Sequence, residues 1–419
     1  MSQTKSPAAP QSSAAVIASA ERYMDVARRM DLLHVGPFAG VMYWQPAGLK
    51  LYEKLRSYIR GVHADAGYLE VKSPSLVGVS AFAQSGHLEK YREAMFLLPQ
   101  EGGPAGDAEG GYAMRPMSCP NHIELYASRR RSYRELPLPL FEFGEVFRNE
   151  PSGSLQVLFR MRQFCQDDSH VFVAEDQVAP AVANYLAMAQ RVYQELGFEK
   201  VDFSVSLRPE QRFGEDVLWD RAEDALRAAC REQGLAWDEQ KGGGAFYGPK
   251  IELGVYDKLG RRWQLGVIQL DYVLPERFDL DYVGADNARA RPVVLHHAVL
   301  GSLERMVGIL LEVHGVDLPT FLHPYDAVVL AVSEPSKDYA RACSKALRGR
   351  WRDVLVDDSD APLPAKIAHW KEKGVPRIFV VGAKEAQAHV EGRGMPAMLS
   401  SGGRRLVDLS DAAAMAGIV

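Results

Sequence analysis

The chain has 419 residues, of which 47% are hydrophobic and 25% charged, and a formal net charge of -5. This length suggests two domains with ample core, and the composition excludes wholesale disorder. The acidic balance excludes a broadly basic surface, so any nucleic-acid contact must come from local arginine patches.

Four widely spaced cysteines make no disulfide framework and point to a reducing compartment. No apolar run reaches the roughly 18–20 residues of a membrane span. The first twenty residues lack a charged start followed by a long apolar region, so a cytoplasmic protein with a disordered lead-in over 1–20 is expected.

From about residue 20 the spacing becomes helical. In LKLYEKLRSYIRGVHADAG, Leu51, Leu55, Tyr58, Ile59 and Val62 share a face and Gly67 supplies the stop. YLEVKSPSL reads as a strand ending near Pro74, and PQEGGPAGDAEGG, residues 99–111, as an exposed loop. A long antiparallel hairpin is expected next. Phe141, Phe143, Val146 and Phe147 form one arm, Val157, Phe159, Met161 and Phe164 the other, with Pro151–Gly153 as the turn.

A helix then runs to Gly197, DFSVSLRP is a strand, and IELGVYDKLGRRWQLGVIQLDY is a strand pair turning at Asp257–Gly260. LGSLERMVGILLEVHG is an apolar helix that carries one arginine, Arg305. After LPTFLHPYD the pattern alternates strand and helix, which implies a small, largely parallel α/β domain. The expected division is a catalytic domain over 21–322 and a second domain over 323–419.

There is no phosphate-binding loop of the Gly-x-x-x-x-Gly-Lys-Ser/Thr type and no Gly-x-Gly-x-x-Gly after a strand. GGGAFYGPK precedes a strand rather than a helix and is weak as a phosphate cradle. Arg148 and Glu150 at the hairpin tip, Arg160 and Arg162 beyond it, and Arg305 can converge on polyphosphate or can simply decorate an amphipathic surface. Cys119, His122, His170 and the tandem His296–His297 form either a metal set or core and surface residues, since spacing this long carries little specificity.

Together, MSCPNHIELYASRRRSYRELPLPLFEFGEVFRNEPSGSL, RMRQFCQDDSHVFV, GGGAFYGPKIEL, WQLGVIQLDY and HHAVLGSLERMVGILLE resemble the catalytic core of the threonyl-tRNA synthetase family of class II aminoacyl-tRNA synthetases. The resemblance covers about residues 22–320 and continues more thinly into a region similar to the class IIa anticodon-binding domain. It implies an α+β catalytic domain built on the class II antiparallel sheet, plus a small α/β anticodon-binding-like domain. The implied partners are threonine, ATP with Mg2+, and threonine tRNA, in a homodimer whose interface includes the segment ending at Pro74.

By the same resemblance Arg148 would bind the α-phosphate and substrate carboxylate, and Glu150 would read the adenine amino group. Phe164 and Arg305 would sandwich the adenine, with Arg160 and Gln264 nearby. Zinc would be held by Cys119, His170 and His296. Met117, Gln166, Asp168, Tyr247 and Gln269 would surround threonine, with Asp168 accepting from its hydroxyl. Lys250 would act in catalysis, and His87 would activate the terminal ribose of tRNA.

This sequence departs from the family at His297, where arginine is usual, at Asn121 for glycine, and at Cys165 and Val267 for threonines. The region before the core is too short for the family's usual editing domain, so some charging with serine is expected. After Glu385 the family's regular basic strand is missing from the sequence pattern. An alternative reading is a paralogue that activates threonine or a related β-hydroxy amino acid for a non-tRNA acceptor.

Overall fold

Aromatic and β-branched runs in the middle of the chain assemble an eight-stranded sheet. In the computed structural model, which describes residues 23–99, 111–257, 259–400, 403–411, 415 and 418, its order is Trp237–Gln240, Val201–Ser206, Lys250–Tyr256, Arg262–Asp271, Val293–Ala298, Gln163–Val173, Leu138–Phe147 and Leu69–Glu70. The six inner strands pair antiparallel, and each edge strand joins in parallel. The expected lead-in over 1–20 and the body of the loop over 99–111 lie outside the described residues.

This sheet belongs to one of two compact units, made of Val35–Met42 and Arg56–Ile309. The helix Val178–Glu195 lays Val182, Leu186, Ala189 and Val192 into its core. Burying each of the two valines and the leucine is worth about 1.5–3 kcal/mol. The polar ends of two buried tyrosines are satisfied by backbone, Tyr185 donating to the Ala298 carbonyl at 3.0 Å and Tyr193 to that of Val299 at 2.6 Å.

Three local expectations change. The arm expected from Val157 starts only at Gln163. Residues before it form a short 3-10 turn, Ser152–Ser154, and a connection whose Phe159 stacks on Trp263 at 4.4 Å, so its apolar residues answer a packing partner and not a ladder. The strand expected to end near Pro74 spans only Leu69–Glu70. Beyond it side chains take over the backbone's hydrogen bonds: Ser73 N–H donates to Glu142 and the Pro74 carbonyl accepts from Asn121. In the helix Pro46–Asp65, Leu51, Leu55, Ile59 and Val62 are buried, whereas Tyr58 is half-buried and donates to Glu195 at 2.6 Å.

The other unit takes the described residues up to His34, Tyr43–Leu55 and those from Leu310 onward. Its five-stranded sheet runs Val354–Asp357, Ala327–Ala331, Ile378–Val381, Pro396–Leu399 and Arg405–Asp408. The first three strands are parallel and the last two antiparallel, around a core including Val329, Cys343, Leu347 and Phe379. Two strands follow Glu385, where the sequence pattern lacked the family's regular basic strand: Pro396–Leu399 carries no basic residue and Arg405–Asp408 carries one, Arg405. The Glu385 carboxylate itself caps its helix by accepting the Gly382 N–H at 2.9 Å. Among the described residues no helix is long and apolar enough to cross a membrane.

Candidate active site

The heptapeptide FCQDDSH lies inside the strand Gln163–Val173, and its alternation divides it into two jobs. Phe164, Gln166, Asp168 and His170 line a cleft of about 490 Å³. Cys165, Asp167 and Ser169 are buried on the other face. That face anchors the helix Leu303–His314: the Asp167 carboxylate accepts the N–H groups of Val299 (2.8 Å) and Leu300 (3.0 Å), and Glu304 accepts the Cys165 N–H at 3.1 Å. Burial pushes both carboxyls up to about 8 against the pull of these hydrogen bonds. The anchored helix brings Arg305 to the cleft.

Antiparallel register then sets Lys250, Gln269, His296 and His170 side by side on consecutive strands, and all four line the cleft. Cys119, at the start of the helix Cys119–Ala127, completes a buried group. Its Sγ and one ring nitrogen each of His170 and His296 lie within 4.8 Å of one another. His170 Nε2 and His296 Nδ1 have no hydrogen-bond partner. Their opposite nitrogens are engaged, His296 Nε2 with Asp271 Oδ2 and His170 Nδ1 with His122 Nδ1, each at 2.8 Å. Orphaned buried imidazole nitrogens facing a thiol, with the far side of each ring held, form a donor set that fits zinc.

Burial depresses the His170 imidazole, and the neighbouring His122 depresses it further. For His296 burial works downward too, but Cys119 and Asp271 prevail and push it up to about 10. His122, the other half of the Cys-x-x-His pair, is not part of this group and turns to His170 and Glu142.

Asp168 stands next to the metal set, 4.0 Å from His170. Burial raises its carboxyl above the usual range, opposed by His122 and the Ser118 hydroxyl. A Cβ on Gly144 would come within 2.7 Å of Ser118 Oγ and 3.5 Å of Asp168 Cβ, so glycine leaves the room these side chains occupy. Tyr247 is 4.0 Å from both Cys119 Sγ and Met117 Sδ, and burial raises its phenol well above the ordinary value. Gln269 donates to the Gly248 carbonyl at 3.0 Å.

The other end of the cleft is cationic. Arg148, Arg160 and Arg305 all line it, and burial followed by repulsion from the other two lowers the pKa of Arg305. Such crowding favours a polyanion between them. Arg305 donates to the Phe159 carbonyl at 3.1 and 2.9 Å, Arg160 pairs with Glu150 at 3.0 Å, and the Arg148 guanidinium covers the Phe164 ring at 5.1 Å. Lys250 pairs with Glu252 at 2.5 Å, and Gln264 donates to the same carboxylate at 2.6 Å.

Every site residue implied by the resemblance lines this cleft except His87; of the residues weighed on spacing alone, His122 and Arg162 do not line it, and Arg162 donates to the Glu150 carbonyl at 3.2 and 3.1 Å. His87 is fully buried behind it, with Nε2 3.2 Å from Met117 Sδ and Nδ1 2.7 Å from Ser85 Oγ. Ser85 Oγ, which lies 3.2 Å from the Phe82 carbonyl, can accept from Nδ1–H, whereas the Met117 thioether can only accept and draws the proton to Nε2, so the two partners of His87 favour opposite tautomers. Burial, then His296 and Arg148, pull His87 down to about 3. Gly86 adopts φ +84°, and a Cβ there would sit 2.4 Å from the Phe213 ring.

His297, the departure from arginine, is buried with Nε2 2.7 Å from Tyr68 Oη. Arg115, His122 and Glu142 were not foreseen as a unit. Their one sequence signal is Glu142 itself, a carboxylate inside the apolar run LPLFEFGEVF, which must find a partner once buried.

The geometry has relatives. Residues 105–314 match the family model described as tRNA synthetase class II core domain (G, H, P, S and T), and residues 326–406 match one described as anticodon binding domain. The chain therefore belongs to the class II aminoacyl-tRNA synthetases.

Solved structures narrow this further. The RNA binding domain of threonyl-tRNA synthetase from Cryptosporidium parvum Iowa II is 34% identical, with a TM-score of 0.87, over 93% of this chain and 96% of that one. A putative threonyl-tRNA synthetase from Aeropyrum pernix is 28% identical, with a TM-score of 0.78, over 94% of each chain. Within the class, the chain belongs to the threonyl-tRNA synthetase family. Threonine–tRNA ligase of Burkholderia mallei strain SAVP1 is 43% identical over 362 residues, which is 86% of this chain and 56% of the relative. The chain thus spans little more than half the length of such curated relatives.

Proposed function

We propose that the chain, as a cytoplasmic homodimer, uses ATP and Mg2+ to convert L-threonine to threonyl-adenylate and transfers the threonyl group to the 3′ end of threonine tRNA. The observation that carries this reading is the adjacency of Asp168 to the Cys119–His170–His296 donor set at one end of a cleft whose other end holds three arginines.

Held by those three ligands, zinc would supply a Lewis acid to the amino acid's amine and hydroxyl. Asp168 accepts the hydroxyl's hydrogen bond. Valine leaves that buried carboxylate unpaired, which separates the two far better than shape can. Arg148 aligns the threonine carboxylate and the α-phosphate, so that a carboxylate oxygen attacks phosphorus in line and pyrophosphate departs. Stacking of adenine between Phe164 and Arg305 requires Arg148 to turn away from the Phe164 ring it now covers. Arg160 and Arg305 neutralise the departing phosphates, and Glu150 accepts from the adenine amino group. In the transfer step the ribose hydroxyl attacks the threonyl carbonyl, AMP departs, and His87 Nε2 takes the hydroxyl's proton, which requires Met117 to move from its 3.2 Å contact with that nitrogen.

The homodimer reading is supported by Leu69, exposed on the short edge strand Leu69–Glu70, and by exposed Leu76 at the start of the next strand, Leu76–Gly78. Sedimentation tests it, and a monomer at micromolar concentration overturns it. Pyrophosphate exchange across a panel of amino acids, followed by charging of threonine tRNA, tests the reaction. Adenylate formation without any charging refutes the ligase reading.

A further inference from the structure

Behind His170 of the metal set runs a chain of buried polar side chains, His122, Glu142, Arg115, Ser73 and Asn121, that none of the roles above uses. His170 Nδ1 lies 2.8 Å from His122 Nδ1, and His122 Nε2 lies 3.2 Å from Glu142 Oε1. Glu142 in turn accepts from Arg115 Nη1 at 2.7 Å, Ser73 Oγ at 2.7 Å and the Ser73 N–H at 3.1 Å. Asn121 closes the far end, donating to Ser73 Oγ at 3.0 Å and to the Pro74 carbonyl at 2.8 Å. His122 and His170 have no exposed surface, and Glu142 and Arg115 are 1% and 2% exposed.

Proton counting gives this chain a single direction. Two Nδ1 atoms at hydrogen-bond distance need one proton between them. A metal on His170 Nε2 requires the lone pair there, so the His170 proton sits on Nδ1 and is donated to His122. The His122 proton must then be on Nε2, which lies 3.2 Å from the Glu142 carboxylate at ion-pair distance without hydrogen-bond alignment, and that carboxylate is neutralised by a guanidinium that is always charged. The opposite direction would put a hydrogen on His170 Nε2, in the space shared with Cys119 and His296.

We propose that His122 and Glu142 are positioning residues for the metal ligand His170, fixing its tautomer and ring orientation so that Nε2 presents its lone pair to the ion. The inference rests on the zinc reading above. It assigns the histidine of the Cys-x-x-His pair to the support of a ligand and not to the metal itself.

Two measurements test it, neither of them activity. Zinc affinity of the full chain is read by competition with a chromophoric chelator. His122→Asn keeps an acceptor near the Nδ1 position and is expected to hold zinc almost as well as the parent. His122→Leu fills the same space without an acceptor and is expected to bind about 10–100-fold more weakly. Equal affinity of the parent and both variants overturns the inference. A parent chain that takes up no zinc overturns the zinc reading and this inference together, and the parent's own titration distinguishes that failure. Should His122→Leu not fold, the unmutated zinc-loaded chain still decides. With 15N-labelled histidine, long-range proton–nitrogen correlation is expected to show His122 protonated on Nε2 and His170 on Nδ1. A His122 proton on Nδ1 refutes the proposal.

Discussion

Replacing Asp168 with alanine isolates the hydroxyl test from the rest of the cleft. Its carboxylate sits beside the metal set, 15% exposed, with His170 at 4.0 Å. A hydrogen bond to a charged acceptor contributes about 1.5–3 kcal/mol, so kcat/KM for threonine in pyrophosphate exchange falls by roughly 10- to 150-fold. Phe164, the adenine platform we propose, lies four residues along the same strand, about 13 Å away at a strand's rise, and Arg148, Arg160 and Arg305 are untouched. The KM for ATP is therefore expected to stay near that of the parent. Because valine never made the bond, its kcat/KM changes little and the threonine-to-valine ratio collapses. Asp168→Asn keeps one oxygen acceptor and is expected to lie between. Equal losses for threonine and ATP, or an unchanged threonine-to-valine ratio, would refute the assignment of this carboxylate.

Cys119→Ala is expected to lower zinc content and threonine-dependent exchange together while ATP binding persists, checked by metal analysis and equilibrium dialysis; full exchange from a zinc-free variant contradicts it. Asp167→Asn reports on pH. The folded carboxyl, at about 8, lies above its unfolded value near 4, so the folded state holds the extra proton between them. Its stabilising contribution is complete below about pH 4 and is lost as pH rises through 8. The melting temperature of Asp167→Asn relative to the parent should accordingly climb between about pH 5 and pH 8.5; a constant offset counts against it. Ser85→Ala frees the His87 tautomer and should slow single-turnover transfer to tRNA by up to about 100-fold, leaving pyrophosphate exchange intact; equal slowing of both steps excludes the role.

The even-numbered residues of FCQDDSH were legible because strand periodicity alone predicts a shared face, and the structure lines one cleft with all four. The proposed metal ligands were legible only through resemblance, since Cys119, His170 and His296 come from a helix start and two strands whose register no spacing encodes. The supporting shell was legible only as one carboxylate, Glu142, in an apolar run; its partners were not. Glu142 meets His122 and Arg115 through long-range packing, and nothing local to the three segments announces the meeting. Val157, Phe159 and Met161 misled for a related reason. β-Propensity measures fit to a half-buried pleat, and Phe159 found its fit against Trp263 outside any strand.

The two-sided strand Gln163–Val173 also constrains how this gene can change in length. Loss or gain of one codon between Phe164 and His170 would rotate everything beyond it by half a pleat. A ligand would then occupy an anchor's place, and an anchor a ligand's. Substitutions here can be graded, some mild and some severe, but single-residue deletions and insertions can only be severe. A scan of one-codon indels across the sheet should therefore find this stretch among the least tolerant, while the exposed turn over 151–153, which pairs with no strand and lines no part of the cleft, accepts far more.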